Sequence, residues 1–383
     1  MLVTPWYPTP ESPVEGVFVR EHALALAEFA DVVVVHVPDR ADRHSRRPVI
    51  EAGHDAGLDT MHVSRPWDAG LRGWFAVTWS IFAARRALRA RGFRPDVVNA
   101  HVATAAVPSA VVCALTRTPL VISEHWSRFL PADPGTFSAR ERRAIRWAFQ
   151  RAAAVLPVSS VLAEAIRKVA PRARLRVVPN AVDCTLFAPP AQGRGAATGQ
   201  ILAVALLVDG KGLEHLLPAF AEVAEARPEA TLHLVGDGAQ RPRLEAMAAD
   251  LGVGSRVTFH GSQTKAQIAG LMHGADVFVL PSMFETFGVV VVEALASGVP
   301  VVATRCGGPD DLVSPEMGLL VPPGDPHALS LAIQDVMTHR GDYDADALAT
   351  YAREHFSRAA VAECLRGVLD DVLDVRSEEA VPR

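Results

Sequence analysis

The chain has 383 residues, 49% of them hydrophobic, with 38 Lys and Arg against 43 Asp and Glu. That length reads as two or three soluble, well-cored domains, and no apolar run approaches the roughly 20 residues of a helical membrane span. A net charge of −5 gives no reason to expect a nucleic acid partner, and four cysteines without metal-type spacing read as reduced thiols.

The charge is unevenly spread. Residues 1–178 carry 24 Lys and Arg against 16 Asp and Glu, a balance of +8, whereas 179–383 carry 14 against 27, a balance of −13. The first half is therefore expected to meet something anionic. The N-terminus lacks a charged region followed by an apolar core, so the cytoplasm is the expected compartment.

Met1 to Thr4 reads as the end of a first strand, because Pro5-Trp6-Tyr7-Pro8 follows; a strand this short places the true start a few residues upstream. Val17 to Phe29 reads as a helix that begins after Gly16. A glycine at a strand-to-helix turn lets backbone amides approach a phosphate, but a single Gly reads first as a plain turn. Asp31 to Val37 is the next strand, and residues 38–58 read as a polar, charged loop.

Leu71, Trp74, Phe75, Thr78, Ile81 and Phe82 recur at helical spacing, followed by Arg85, Arg86, Arg89, Arg91 and Arg94. This predicts a core-facing stripe with a solvated basic end, with a membrane-surface helix as the alternative. Strands ending at His101 and before His125 follow, and both histidines then stand at the strand edge where open α/β sheets bind ligands. Ser138 to Glu141 has the capping-box pattern and opens a helix to about Ala153. A strand from Val155 and a helix to Val169 lead to Pro179-Asn180-Ala181-Val182-Asp183 and a Gly/Pro-rich linker at 188–199.

Gln200 to Leu207 opens a second run of strands. Lys211-Gly212 stands at a helix start, where amides, helix dipole and ammonium suit a diphosphate. Leu232 to Val235 with Gly236-Asp237-Gly238, then Arg256 to Gly261, repeat the strand-to-turn design. Val277 to Thr304 reads as strand, loop, helix and strand, with Glu285 in the loop and Glu293 inside a helix that starts near Gly288. Its preceding residues are Val289 to Val292, so Glu293 needs either a cation from the protein, such as an Arg, or hydroxyl donors from a ligand. Helices over Ala328 to Met337 and Ser357 to Leu373 precede a tail, 375–383, expected to be disordered.

The spacing Glu285-x7-Glu293 with Ala294-Leu-Ala-Ser-Gly-Val-Pro-Val-Val302 resembles the signature of family 4 of the retaining glycosyltransferases, and the Pro179 to Asp183 segment is similar to that family's domain crossover. The resemblance implies an α/β, GT-B fold: two facing Rossmann-like domains, 1–180 for the acceptor and 181–356 for the nucleotide sugar, with the donor site in the interdomain cleft. Residues 357–383 would form a helix packing back on the first domain, then a tail.

The resemblance also implies transfer of a sugar from a UDP- or GDP-sugar, with no metal and no further cofactor. In that reading Lys211 neutralises the diphosphate, Glu285 orients the sugar and Glu293 holds the ribose. Gly16, Gly236, Thr286, Phe287 and Gly288 border the donor, and His125 meets the sugar from the first domain. The acceptor is expected to be anionic or lipid-linked, with peripheral membrane contact through the first domain. Where the family has Gly-Arg-Leu, this chain has Ala205-Leu206-Leu207, so the usual cationic partner of Lys211 is missing. A non-catalytic sugar-nucleotide-binding partner and another enzyme on this fold, such as a phosphorylase or an epimerase, are the alternatives.

Overall fold

The computed structural model describes residues 1–380 apart from 11, 13, 39–46, 66–69, 134 and 194, and only the backbone of 70–72 and 376–380. The chain divides into two compact units, one made of Met1–Ala181 with Arg358–Arg383 and the other of Val182–Ser357.

In the first unit the order is β1 (Leu2–Thr4), α1 (Val17–Ala27), β2 (Val33–His36), β3 (Ile50–Asp55), β4 (Leu58–Val63), α2 (Gly70–Ala90), β5 (Val98–His101), α3 (Val102–Thr116), β6 (Leu120–Glu124), α4 (Ala139–Arg151), β7 (Ala154–Pro157) and α5 (Ser160–Val169). The second unit holds β8 (Gln200–Val204), α6 (Leu213–Ala226), β9 (Thr231–Val235), α7 (Arg241–Asp250), β10 (Val257–Gly261), α8 (Lys265–Gly274), β11 (Val277–Leu280), α9 (Val289–Ala296), β12 (Val301–Thr304), β13 (Gly318–Val321), α10 (Pro326–Thr338) and α11 (Ala345–Phe356). The last helix, α12 (Arg358–Ala380), belongs to the first unit.

The first sheet runs β3-β4-β2-β1-β5-β6-β7 and is parallel except for the β3–β4 hairpin. The second runs β10-β9-β8-β11-β12-β13 and is parallel throughout. Strands such as Val33–His36 and Val277–Leu280 are buried along their whole length, as strands covered by helices on both faces must be. In each sheet the first strand has its successors on opposite sides, β2 and β5 around β1 and β9 and β11 around β8. These are the topological switch points where such sheets open a crevice at the strand C-termini.

Four expectations from sequence need correction. Residues 38–58 hold a strand: β3 is an edge strand with exposed residues at Glu51 to His54, so it shows no apolar face, and Ala56 and Gly57 turn it into β4 with positive φ. Residues 39–46 of that stretch lie outside the described residues. Helix α2 also turns differently. Its core face is Ala76, Val77, Ser80, Ile81, Ala84, Arg85 and Leu88, while Phe75 and Phe82 are 63% and 38% exposed. Arg85 is buried and donates to Thr118 Oγ1 at 2.8 Å, so the basic end is not solvated throughout. Strand β8 stops at Val204, three residues early, because Ala205 to Gly212 must leave the sheet to form a loop. The tail expected from 375 is helical to Ala380.

Helix α12 completes the first core. Val361, Ala362, Leu365, Val368 and Val372 pack with Leu2, Val19, Ala23 and Leu26, and Arg358 Nε donates to Glu21 Oε2 at 2.6 Å. The second core is separate and centres on Phe220 of α6 with Ile201, Leu232 and Val279 of three strands.

Candidate active site

In the second unit the candidate residues collect on two loops at the β8/β11 switch point. The β8–α6 loop ends at Gly212, which caps α6, and the β11–α9 loop ends at Gly288, which caps α9. Met283 N donates to Gly210 O at 2.9 Å, so the loops are joined backbone to backbone and both helix N-termini open at one place. Each terminus carries unsatisfied amides and the positive end of its dipole, an arrangement that attracts an anion.

Lys211 and Glu285 meet there. Lys211 Nζ donates to Glu285 Oε2 at 2.9 Å, with the two side chains 29% and 18% exposed. Glu285 is fixed from behind: its N–H donates to Cys306 O at 3.1 Å, its carbonyl accepts from Gly308 N at 2.8 Å, and its Oε1 accepts from Thr286 N at 3.1 Å. Arg305, which follows β12, is 61% exposed and stands 3.9 Å from Asp310. Leu206 is 56% exposed on the β8–α6 loop, so the position where the family has Arg faces solvent.

Glu293 lies on α9 and is 2% exposed. One of its protein partners is Lys265, the first residue of α8, whose Nζ donates to Glu293 Oε1. Thr264 and Gln267 form a capping box that fixes the start of α8 and with it the root of Lys265. Four valines precede Glu293, yet the segment is helical because a parallel crossover from β11 to β12 requires it. Phe287 and Thr286 are buried just before Gly288.

Gly236 ends β9 with φ 129°, and a Cβ there would stand 1.8 Å from Ala205 O, so no other residue fits beside the β8–α6 loop. Gly16 behaves alike in the first unit: with φ 68°, its Cβ would lie 2.4 Å from the carbonyl of Trp6. The close approach at Gly16 is therefore to the chain's own backbone.

His125 follows β6 and belongs to a buried cluster in the first unit. Asn99 Nδ2 donates to Ser123 Oγ at 3.0 Å, which leaves its Oδ1 to accept from His101 Nε2 at 3.0 Å. His101 Nδ1 is then unprotonated and accepts from His125 Nε2 at 3.1 Å. The chain of bonds fixes the tautomer of His125, with its proton on Nε2 and a lone pair on Nδ1. His22 of α1 stands edge-on to His101 at 4.7 Å.

Burial keeps all three rings neutral, pushing His125 down to about 3 and His22 to about 4, and His101 well below its ordinary value. Glu124 is pushed up to about 8 by burial, against the pull of amides including those of His125 and Trp126, each 2.9 Å from its Oε1. The sequence marks His101 and His125 as strand-end residues, but the bond between them and the approach of His22 depend on packing that no local pattern reports. Among the described residues, no group of three or more His, Cys, Asp or Glu side chains is arranged to hold a metal.

Two Rossmann-like units with candidate ligand groups at strand C-termini fit the architecture of the GT-B glycosyltransferases. The profile of "Glycosyltransferase Family 4" matches residues 16–186 and that of "Glycosyl transferases group 1" matches residues 190–355. The chain belongs to family 4 of the glycosyltransferases. It is similar to glycogen synthase of Mycobacterium tuberculosis, with 26% identity over 64% of this chain and 61% of that protein, so it spans about three fifths of that relative. It is similar as well to 2-deoxystreptamine glucosyltransferase of Streptomyces kanamyceticus, with 30% identity over 64% of this chain and 69% of that one. Among solved structures, Anabaena HepE in complex with UDP matches with a TM-score of 0.76 and 21% identity, over 97% of this chain and 99% of that one. HepE has also been solved with UDP-glucose.

Proposed function

We propose that the protein transfers a sugar, with retention of anomeric configuration, from a UDP- or GDP-sugar to an acceptor held by the first unit. The observation that carries this reading is the Lys211–Glu285 pair set between the N-termini of α6 and α9. A diphosphate would take its charge balance from Lys211 and from the amides of both helices, and would release Glu285 toward the sugar hydroxyls. Glu293 would accept from the ribose, with Gly236, Thr286, Phe287 and Gly288 forming the walls. The bond from the sugar C1 to the phosphate oxygen breaks, a bond from C1 to the acceptor oxygen forms on the same face, and the acceptor proton passes to the leaving phosphate. His125, held neutral and far below the range of an effective base at neutral pH, serves as a hydrogen-bonding group rather than a proton acceptor.

The exposed Leu206 favours one competing reading, a subunit that binds a sugar nucleotide without turning it over. One assay separates the two. A glycosyltransferase gives UDP or GDP release that depends on added acceptor, and a nucleotide at 100 times its Kd adds about 2.7 kcal/mol of stability in a thermal shift. Saturable nucleotide binding with no acceptor-dependent release would instead support the binding subunit, and no stabilisation by any nucleoside diphosphate would sink both.

We also propose peripheral contact with the cytoplasmic membrane face. No helix of the described residues is long and apolar enough to cross a membrane. However, Phe75, Phe82, Arg86 and Arg89 share the outward face of α2, an apolar stripe with arginines beside it that suits an anionic lipid surface. Sedimentation with anionic vesicles should fall sharply in Phe75→Asp and with salt; equal binding to zwitterionic vesicles would count against the charge argument.

A further inference from the structure

Lys265 stands where a lysine is out of place. It is the first residue of α8, and the first turn of a helix carries unsatisfied amides and the positive end of the dipole, so a cation there is repelled. The capping box does not hold it: Gln267 Oε1 accepts from Thr264 N and Oγ1 at 2.9 and 2.8 Å, so both side chains are taken up with the helix start. What holds the ammonium lies on other segments of the second unit. Its Nζ donates to Glu293 of α9 and stands 5.6 Å from the ring centre of Phe187, which is 2% exposed.

The pairing occurs twice. The chain has three lysines, Lys168, Lys211 and Lys265, and two of them meet the glutamates of the Glu285-x7-Glu293 spacing, Lys211 on Glu285 and Lys265 on Glu293. The two carboxylates differ in burial, with side chains 18% and 2% exposed. Water shares in solvating the first, whereas the second depends on protein groups for its charge. A buried carboxylate stripped of its cation takes up a proton, and the acid then accepts a hydroxyl with the strength of a neutral hydrogen bond instead of a charge-assisted one.

We infer that Lys265 is a positioning residue for the donor: it keeps Glu293 a charged acceptor for the ribose diol and so makes the second unit selective for ribonucleotides over their deoxy counterparts. Lys265 acts through Glu293 and not on the ligand. The inference rests on the proposed ribose contact of Glu293 and adds the residue that sets its strength. A mere tie between α8 and α9 would use the same ion pair, so selectivity and not stability decides between the two roles.

Calorimetry with UDP or GDP, whichever the wild type binds, and its 2′,3′-dideoxy analogue isolates the diol, because base and diphosphate are shared. The wild type is expected to bind the diol form about 10- to 100-fold more tightly, the range for a hydrogen bond to a charged group. Lys265→Met should weaken the diol form about tenfold and leave the analogue unchanged, which also shows that the variant is folded. Lys265→Gln keeps a hydrogen-bond donor without the charge; it should lose selectivity in the same way, and it decides alone where Lys265→Met does not fold. Selectivity kept at the wild-type level in either folded variant, or raised because the lysine had competed with the ribose, overturns the inference. A wild type that binds both forms equally, or neither, overturns instead the ribose contact of Glu293 on which it rests.

Discussion

Lys211→Met is expected to lower sugar transfer by about 10²- to 10³-fold, the usual cost of removing a fixed charge from a developing anion. The loss should fall chiefly on kcat, because the diphosphate gains negative charge as the sugar bond breaks, and less on the KM for donor. Stability should change little: the Lys211–Glu285 pair is partly exposed, and such pairs contribute at most about 1 kcal/mol. Steady-state kinetics with a thermal melt of the same sample reads both. Measurable wild-type transfer that Lys211→Met leaves intact would remove Lys211 from the diphosphate, and with it the argument from the two helix termini.

Glu293→Ala is expected to weaken UDP and GDP by about 10- to 100-fold, since a hydrogen bond to a charged group contributes about 1.5–3 kcal/mol. The same substitution also affects the fold. Glu293 is buried and bonded to Lys265, and breaking such a pair strands a charge; Lys265, however, is 36% exposed and can turn to solvent, which softens the loss. Glu293→Gln separates the two roles, because it keeps the volume and one acceptor oxygen. A nucleotide Kd unchanged in Glu293→Ala, with a Tm lowered as it is in Glu293→Gln, would make the carboxylate a structural partner of Lys265 and no ribose ligand.

Much of this architecture is legible from sequence because parallel strands announce themselves. Runs such as Val277 to Leu280 are apolar throughout, and glycines punctuate their C-terminal ends. Glu293 is conspicuous for the same reason, a carboxylate among valines. Polar edge strand β3 escapes notice because one neighbour and a wet face leave no pattern to read. The face of α2 is misjudged because aromatic residues at helical spacing mark a stripe without saying which way it points. Pairings between elements are hidden altogether: nothing local links Lys265 to Glu293 or His101 to His125, since each pair is joined only by the fold.

The return of α12 to the first unit has a consequence for how the chain is made. The second core draws on Ile201 to Met337, whereas the first is closed by Val361 to Val372. On a ribosome, which delivers the chain from its N-terminus at about 5–20 residues per second, the first sheet emerges before the second unit and its covering helix after it. The second unit therefore has all its residues in hand before the first does. Until α12 emerges, Leu2, Val19, Ala23 and Leu26 lack the surface that covers them in the folded protein, and the first unit is completed only after the second.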